Sequence, residues 1–205
     1  MRRTVFGLSV LAAACSFLLV TGCQREGALR IVSINDGVPL VSDIIDFGEF
    51  TLPSEPGEPP EVIQIEQIPE DNVEIQLQYV ELGLGLPTWT PYQAHITKIQ
   101  IDYSDAAGTQ YDPAVMRTNI VIPADPEGKT VKKATFTLVP SWWKTKYFED
   151  EAQGSPEEEY GEVATLTAKV TVTGYDDASK KDIRAEAFTT IVMGNWWDEP
   201  SRLNQ

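Results

Sequence analysis

From residue 164 to residue 172, apolar and polar side chains alternate without interruption. Ala164, Leu166, Ala168, Val170 and Val172 fall on one side, and Thr165, Thr167, Lys169 and Thr171 on the other. A strand turns successive side chains to opposite faces, so this period of two marks a half-buried antiparallel strand. A chain made of such segments must pair their backbones and cover one face of each sheet. The same period runs through Val73, Ile75, Leu77 and Tyr79, through Ile99, Ile101 and Tyr103, and through Ala134, Phe136 and Leu138. Ile183, Ala185, Ala187, Ile191 and Met193 mark the partner of the clearest strand. Polar turns separate the runs at 105–108, 124–128 and 176–182. The expectation is an all-β fold, an antiparallel β-sandwich of about seven to eight strands. No amphipathic helix interrupts the pattern, and Ser141 to Phe148 is expected to give about one helical turn.

Upstream, Ala28 to Ile34 suits a first strand and Asn35-Asp36-Gly37 a turn, since glycine tolerates positive φ. Val38 to Leu52 reads as a second, irregular strand. Pro53, Pro56, Pro59 and Pro60 then crowd a stretch in which ladder hydrogen bonds cannot form, so a loop or hinge is expected there. On this basis the main β-sandwich domain is expected over 62–205, preceded by a separate segment over 23–61. The hairpin Ala164 to Met193, with Gly174-Tyr175-Asp176 near its bend, resembles the last two strands of bacterial immunoglobulin-like or fibronectin-type modules. The stretch Ile34 to Asp43 resembles the start of uncharacterised envelope lipoproteins carrying one such domain. What the resemblance implies is an immunoglobulin-like architecture, with no catalytic residues to carry over.

The N-terminus has the order of a secretory signal: Arg2 and Arg3, an uncharged apolar run from Val5 to Val20, then small residues. The run is shorter than the ~20 residues a transmembrane helix needs. Val20-Thr21-Gly22-Cys23 resembles the lipobox of bacterial lipoproteins, which implies a signal helix over 1–22, cleaved before Cys23, and lipid on the Cys23 thiol. Two or more acyl chains anchor a protein stably, whereas one does so only marginally. Gln24 follows the cysteine in place of the Asp that marks inner-membrane retention in enterobacteria, which leans toward the outer membrane. The expected location is the cell envelope.

Cleavage removes Cys15 and lipid consumes Cys23, so the mature chain keeps no thiol for a disulfide. It carries 14 Lys and Arg against 31 Asp and Glu, a net charge of −17, because only Arg2 and Arg3 of the 16 basic residues leave with the signal. Such a surface repels phosphate backbones, so no nucleic-acid partner is expected. The single histidine, His95, is read as a partly exposed residue at a strand edge. With one histidine and no free thiol, the usual zinc sites and cysteine nucleophiles are excluded, and no phosphate-binding glycine loop or hydrolase elbow occurs. No cofactor and no metal ligand are assigned.

Carboxylates are plentiful, and a carboxylate-based hydrolase would need two of them held ~5 to 9 Å apart across a cleft. Here they group in hydrophilic runs, 149–151 and 157–159, which read as solvated loops with calcium binding as the sharper alternative. Asp176, Asp177 and Asp182 form a second acidic group. The most distinctive feature is aromatic: the doublets Trp142-Trp143 and Trp196-Trp197, with Trp89 alone between prolines. A doublet continuing a strand places its two rings on opposite faces, so one of each pair should be partly exposed and able to stack on a sugar or anchor a protein. The alternative is that the rings close the ends of the sandwich. The expected function is a membrane-anchored, non-catalytic module that binds an envelope protein or acts as a scaffold. A glycan-binding lipoprotein using exposed tryptophans is the alternative, and a hydrolase the third reading.

Overall fold

The computed structural model describes residues 27–52, 61–81, 93–125, 127–152 and 161–195. The signal segment with Cys23, and Trp89, Trp196 and Trp197, lie outside the described residues. The elements in chain order are β1 (Gly27–Ile34), β2 (Leu40–Asp43), β3 (Asp46–Leu52), β4 (Glu61–Gln67), β5 (Asp71–Glu81), β6 (Gln93–Asp105), β7 (Ala114–Pro123), β8 (Lys132–Val139), α1 (Ser141–Ala152), β9 (Gly161–Asp176) and β10 (Asp182–Asn195). The fold is mostly β, as the alternation requires. Among the described residues, eight strands form two sheets, ordered β1-β5-β8 and β2-β10-β9-β6-β7, and β3 pairs with β4 as a separate hairpin.

The core lies between the two sheets, where the alternating residues converge. Val73, Ile75, Leu77 and Tyr79 of β5 and Phe136 and Leu138 of β8 are buried, as are Leu166, Ala168, Val170 and Val172 of β9. In β6 the inward positions are Ala94 and Ile96, then Ile99, Ile101 and Tyr103. The change of phase falls at a register shift between Ile96 and Lys98, where a bulge adds one residue. Two tyrosines tie the sheets together: the Tyr79 hydroxyl donates to Asp176 at 2.5 Å, and that of Tyr103 donates to the Leu138 carbonyl at 2.7 Å. Gly174 is required where β9 crosses β6, since a Cβ there would lie 1.9 Å from the His95 carbonyl oxygen.

Four features depart from the sequence expectation. The first is the boundary at 61/62. β1 pairs with β5 and β2 pairs with β10, so residues 27–43 are built into both sheets and do not form a separate segment. Period-two patterning identifies a strand but not its partner. The second is direction. β1 and β2 form one strand line broken at Asn35–Gly37, where all three residues have positive φ; there the chain steps from one sheet to the other, so β2 runs parallel to β10. The third is the helix. α1 extends over Ser141–Ala152, with the Trp143 and Lys144 amides donating to Pro140 at its start and a non-helical Phe148 within it. Burial of Trp143, Lys144 and Phe148 stabilises it where its own patterning does not. The fourth is Thr171, expected to face solvent but 5% exposed, opposite Gln100 and Glu186 on the outer face of the sheet.

Candidate functional site

β10 is long and its neighbour β2 is short. β2 pairs only with Ile191 to Gly194, so Ile183 to Thr190 has β9 on one side and, among the described residues, no hydrogen-bonded strand on the other, where β1 runs close by without pairing. β1 pairs only with β5 and is the matching edge of the second sheet. The two open edges run side by side and enclose a groove of about 310 Å³ between Ile31–Ile34 of β1 and Ala187–Thr190 of β10. Phe188 stands at this groove 67% exposed, and Val32 is 50% exposed. Burying such a side chain is worth about 1.5–3 kcal/mol.

An open edge invites pairing with another chain, and proteins blunt it with charge. The first part of this edge carries Arg184 and Glu186, paired with each other, and Glu186 also reaches Lys169 at 3.1 Å. From Ala187 to Thr190 there is no charged residue. An uncharged, unpaired backbone edge beside an apolar ring is the kind of surface that extended segments recognise, through ladder hydrogen bonds and a side-chain pocket.

The tryptophans separate. On α1, Trp142 is 50% exposed and Trp143 completely buried. One ring is in and one out, but a helix produces this, not the strand alternation from which it was expected. Trp143 packs between Tyr103, Tyr111, Tyr147 and Phe148, with ring centroids 4.4–5.8 Å away, and its Nε1 donates to the Asp112 carbonyl at 2.9 Å. Its ring belongs to the core and is not available to a ligand.

His95 sits in β6, between β7 and β9, and not on an edge strand; its ring stacks on Tyr175 at 5.1 Å. Asp176 is buried. Burial pushes its carboxyl up, but hydrogen bonds from Tyr79 and Ser179 outweigh this and hold it below the usual range. Its oxygens are thus engaged in closing the last hairpin. Asp125 is likewise held low by donation from Thr130, Glu127 and Lys129 in the β7–β8 turn. Among the described residues no group of three or more His, Cys, Asp or Glu side chains could hold a metal ion.

One polar cluster escaped the sequence analysis. Lys144, on α1 and completely buried, donates to Asp71 at 2.8 Å and to the Asp43 carbonyl at 2.6 Å. The buried Ser42 hydroxyl donates to the same Asp71 oxygen at 2.7 Å. Serine, lysine and aspartate together suggest nucleophilic chemistry. Here both Ser42 and Lys144 are fully buried with their hydrogen bonds directed at Asp71, so the cluster joins β2, β5 and α1 and presents no nucleophile to a substrate. A lysine between Trp143 and Thr145 carries no spacing signal of this role. The β10 edge was missed for a related reason: which strand lies at an edge is not written in any one strand. Comparison with known protein families and with curated proteins gives no match for this chain.

Proposed function

We propose that the chain is an envelope lipoprotein, lipidated at Cys23, whose immunoglobulin-like sandwich binds a protein partner without catalysis. The immunoglobulin-like reading is supported by the strand order β1-β5-β8 against β2-β10-β9-β6-β7, with the first strand line divided between the sheets. The observation that carries the binding reading is the uncharged β10 edge at Ala187–Thr190 with Phe188 exposed beside it. The partner would contribute an extended segment to this edge.

A photo-crosslinking residue placed at Phe188 should give a discrete adduct in intact envelopes, absent when the same residue is placed at Ala107 in the β6–β7 turn. Phe188→Asp should abolish partner retention while leaving the melting temperature within a few degrees. Equal adducts from both positions, or full retention by Phe188→Asp, would remove the reading. A glycan-binding reading retains one support among the described residues, the half-exposed Trp142. Oligosaccharide retention unchanged in Trp142→Ser would dispose of it.

A further inference from the structure

The pairing registers give the sandwich two distinct ends. At one end, Gly27 opens β1 opposite Glu81, the last residue of β5. Tyr79 meets Asp176 there, and Gln93 and Ala94 of β6 lie beside Pro123 and Asp176. The β5–β6, β7–β8 and β9–β10 connections all leave from this end. At the other end, Asp43 lies beside Gly194, Asp71 beside Val139, and Gly161 beside Asn195. The chain segments joined to that end are 43–71, 105–113, 140–162 and 195–205.

Charge divides between the ends unevenly. Those four segments hold 20 of the Asp and Glu residues and three of the Lys and Arg residues, a net of −17. The rest of the chain from residue 23 onward holds 11 acidic and 11 basic residues and is neutral. The whole net charge of the mature chain is therefore carried by segments joined to the end opposite Gly27. The anchor-end turns balance theirs locally, with Lys129 paired to Glu127 and Lys180 to Asp177.

We infer that the Gly27 end is the surface that rests on the lipid headgroups, with the acidic end pointing away from the bilayer. This rests on lipidation at Cys23. Three residues separate Cys23 from Gly27, so four Cα steps, about 14 Å in all, are the longest possible tether. β9 alone has 16 residues, and at about 3.3 Å each it spans roughly 50 Å between the two ends. With Gly27 held so close, the acidic end cannot be the one that touches the membrane. Lying on its side would bring that end to the surface too. Envelope leaflets carry anionic phospholipid, and like charges repel strongly within a Debye length, about 8 Å at physiological ionic strength. The upright arrangement turns the end to which the acidic segments are joined away from the bilayer and places the neutral end at the headgroups. It also leaves the β1–β10 groove on the flank, open to a partner.

The test uses the full chain, matured in cells and reconstituted in vesicles of phosphatidylethanolamine and phosphatidylglycerol. Ala178→Cys and Ala107→Cys place a thiol in exposed turns at the anchor end and the acidic end, respectively. With Cys23 acylated, each variant has a single free thiol for a fluorophore. Nitroxide-labelled headgroups should quench the label at Ala178 several-fold more than the label at Ala107. Equal quenching, or stronger quenching at Ala107, in vesicle-bound protein that carries fatty acid on Cys23 would overturn the orientation and leave the lipoprotein reading standing. Protein that carries no fatty acid and stays in the supernatant would overturn the tether and the orientation with it.

Discussion

Lys144→Met is the most informative perturbation of this fold. Lys144 has no solvent exposure, while the Asp71 side chain keeps 15%. Methionine fills a similar volume with an unbranched chain, so the packing term is small. What is lost is the ion pair to Asp71 and the hydrogen bond to the Asp43 carbonyl, leaving a carboxylate and a carbonyl oxygen in a site closed by β2, β5 and α1. Removing one partner of a buried pair costs about 3–5 kcal/mol. Asp71 retains the Ser42 hydroxyl and some solvent, so the lower limit applies, about 3 kcal/mol. At 2–4 °C per kcal/mol for a chain of this size, the melting temperature should fall by roughly 6–12 °C. Urea unfolding of Lys144→Met, Asp71→Asn and the double variant then forms a cycle. The double variant should be less destabilised than the sum of the singles by about 2 kcal/mol, within the range for residues in direct contact. A single-variant loss under about 1 kcal/mol, or a coupling indistinguishable from zero, would show that the cluster does not hold α1 to the sandwich.

Val170→Asp places a carboxylate at a completely buried position and should prevent cooperative folding at neutral pH, seen as loss of the urea transition. Thr171→Asp should be destabilising but folded, because Thr171 is covered only by outer-face side chains; a reversed order would invert the assignment of the β9 faces. Thr171→Val should stabilise by about 1 kcal/mol in the same assay, since the Thr171 hydroxyl is buried without a hydrogen-bond partner. Tyr79→Phe removes a donor to Asp176 and should cost about 1.5–3 kcal/mol near neutral pH. The folded carboxyl of Asp176 titrates below its unfolded value of about 3.9, so its contribution is present above that pH and lost as pH falls through the folded value. Tyr79→Phe raises the folded value toward the ordinary one, and the drop in urea midpoint on acidification should become smaller than in the parent; an unchanged drop would detach Asp176 from acid sensitivity. Cys23→Ser should abolish fatty-acid labelling, and labelling that persists in that variant would remove the lipoprotein reading.

The sequence by itself determined the class of fold and most of the core. Period two is a local property of a strand with one covered face, so Val73, Ile75, Leu77 and Tyr79, or Leu166, Ala168, Val170 and Val172, are identifiable before any partner is known, and all are buried. It determined the charge as well, but not its placement. Which strands neighbour one another depends on contacts between residues far apart in the chain, and only the tertiary structure decided those. It decided that β2 covers Ile191 to Gly194 of the β10 edge and leaves Ala187–Thr190 unpaired on that side, and that Phe188, Val32 and the step at Asn35–Gly37 meet at one groove. It decided that Trp143 goes inward on a helix whose stability comes from packing, and that Lys144 finds Asp71. It also joined to one end acidic segments that lie far apart in the sequence, because antiparallel pairing returns alternate connections to the same side of the sheets.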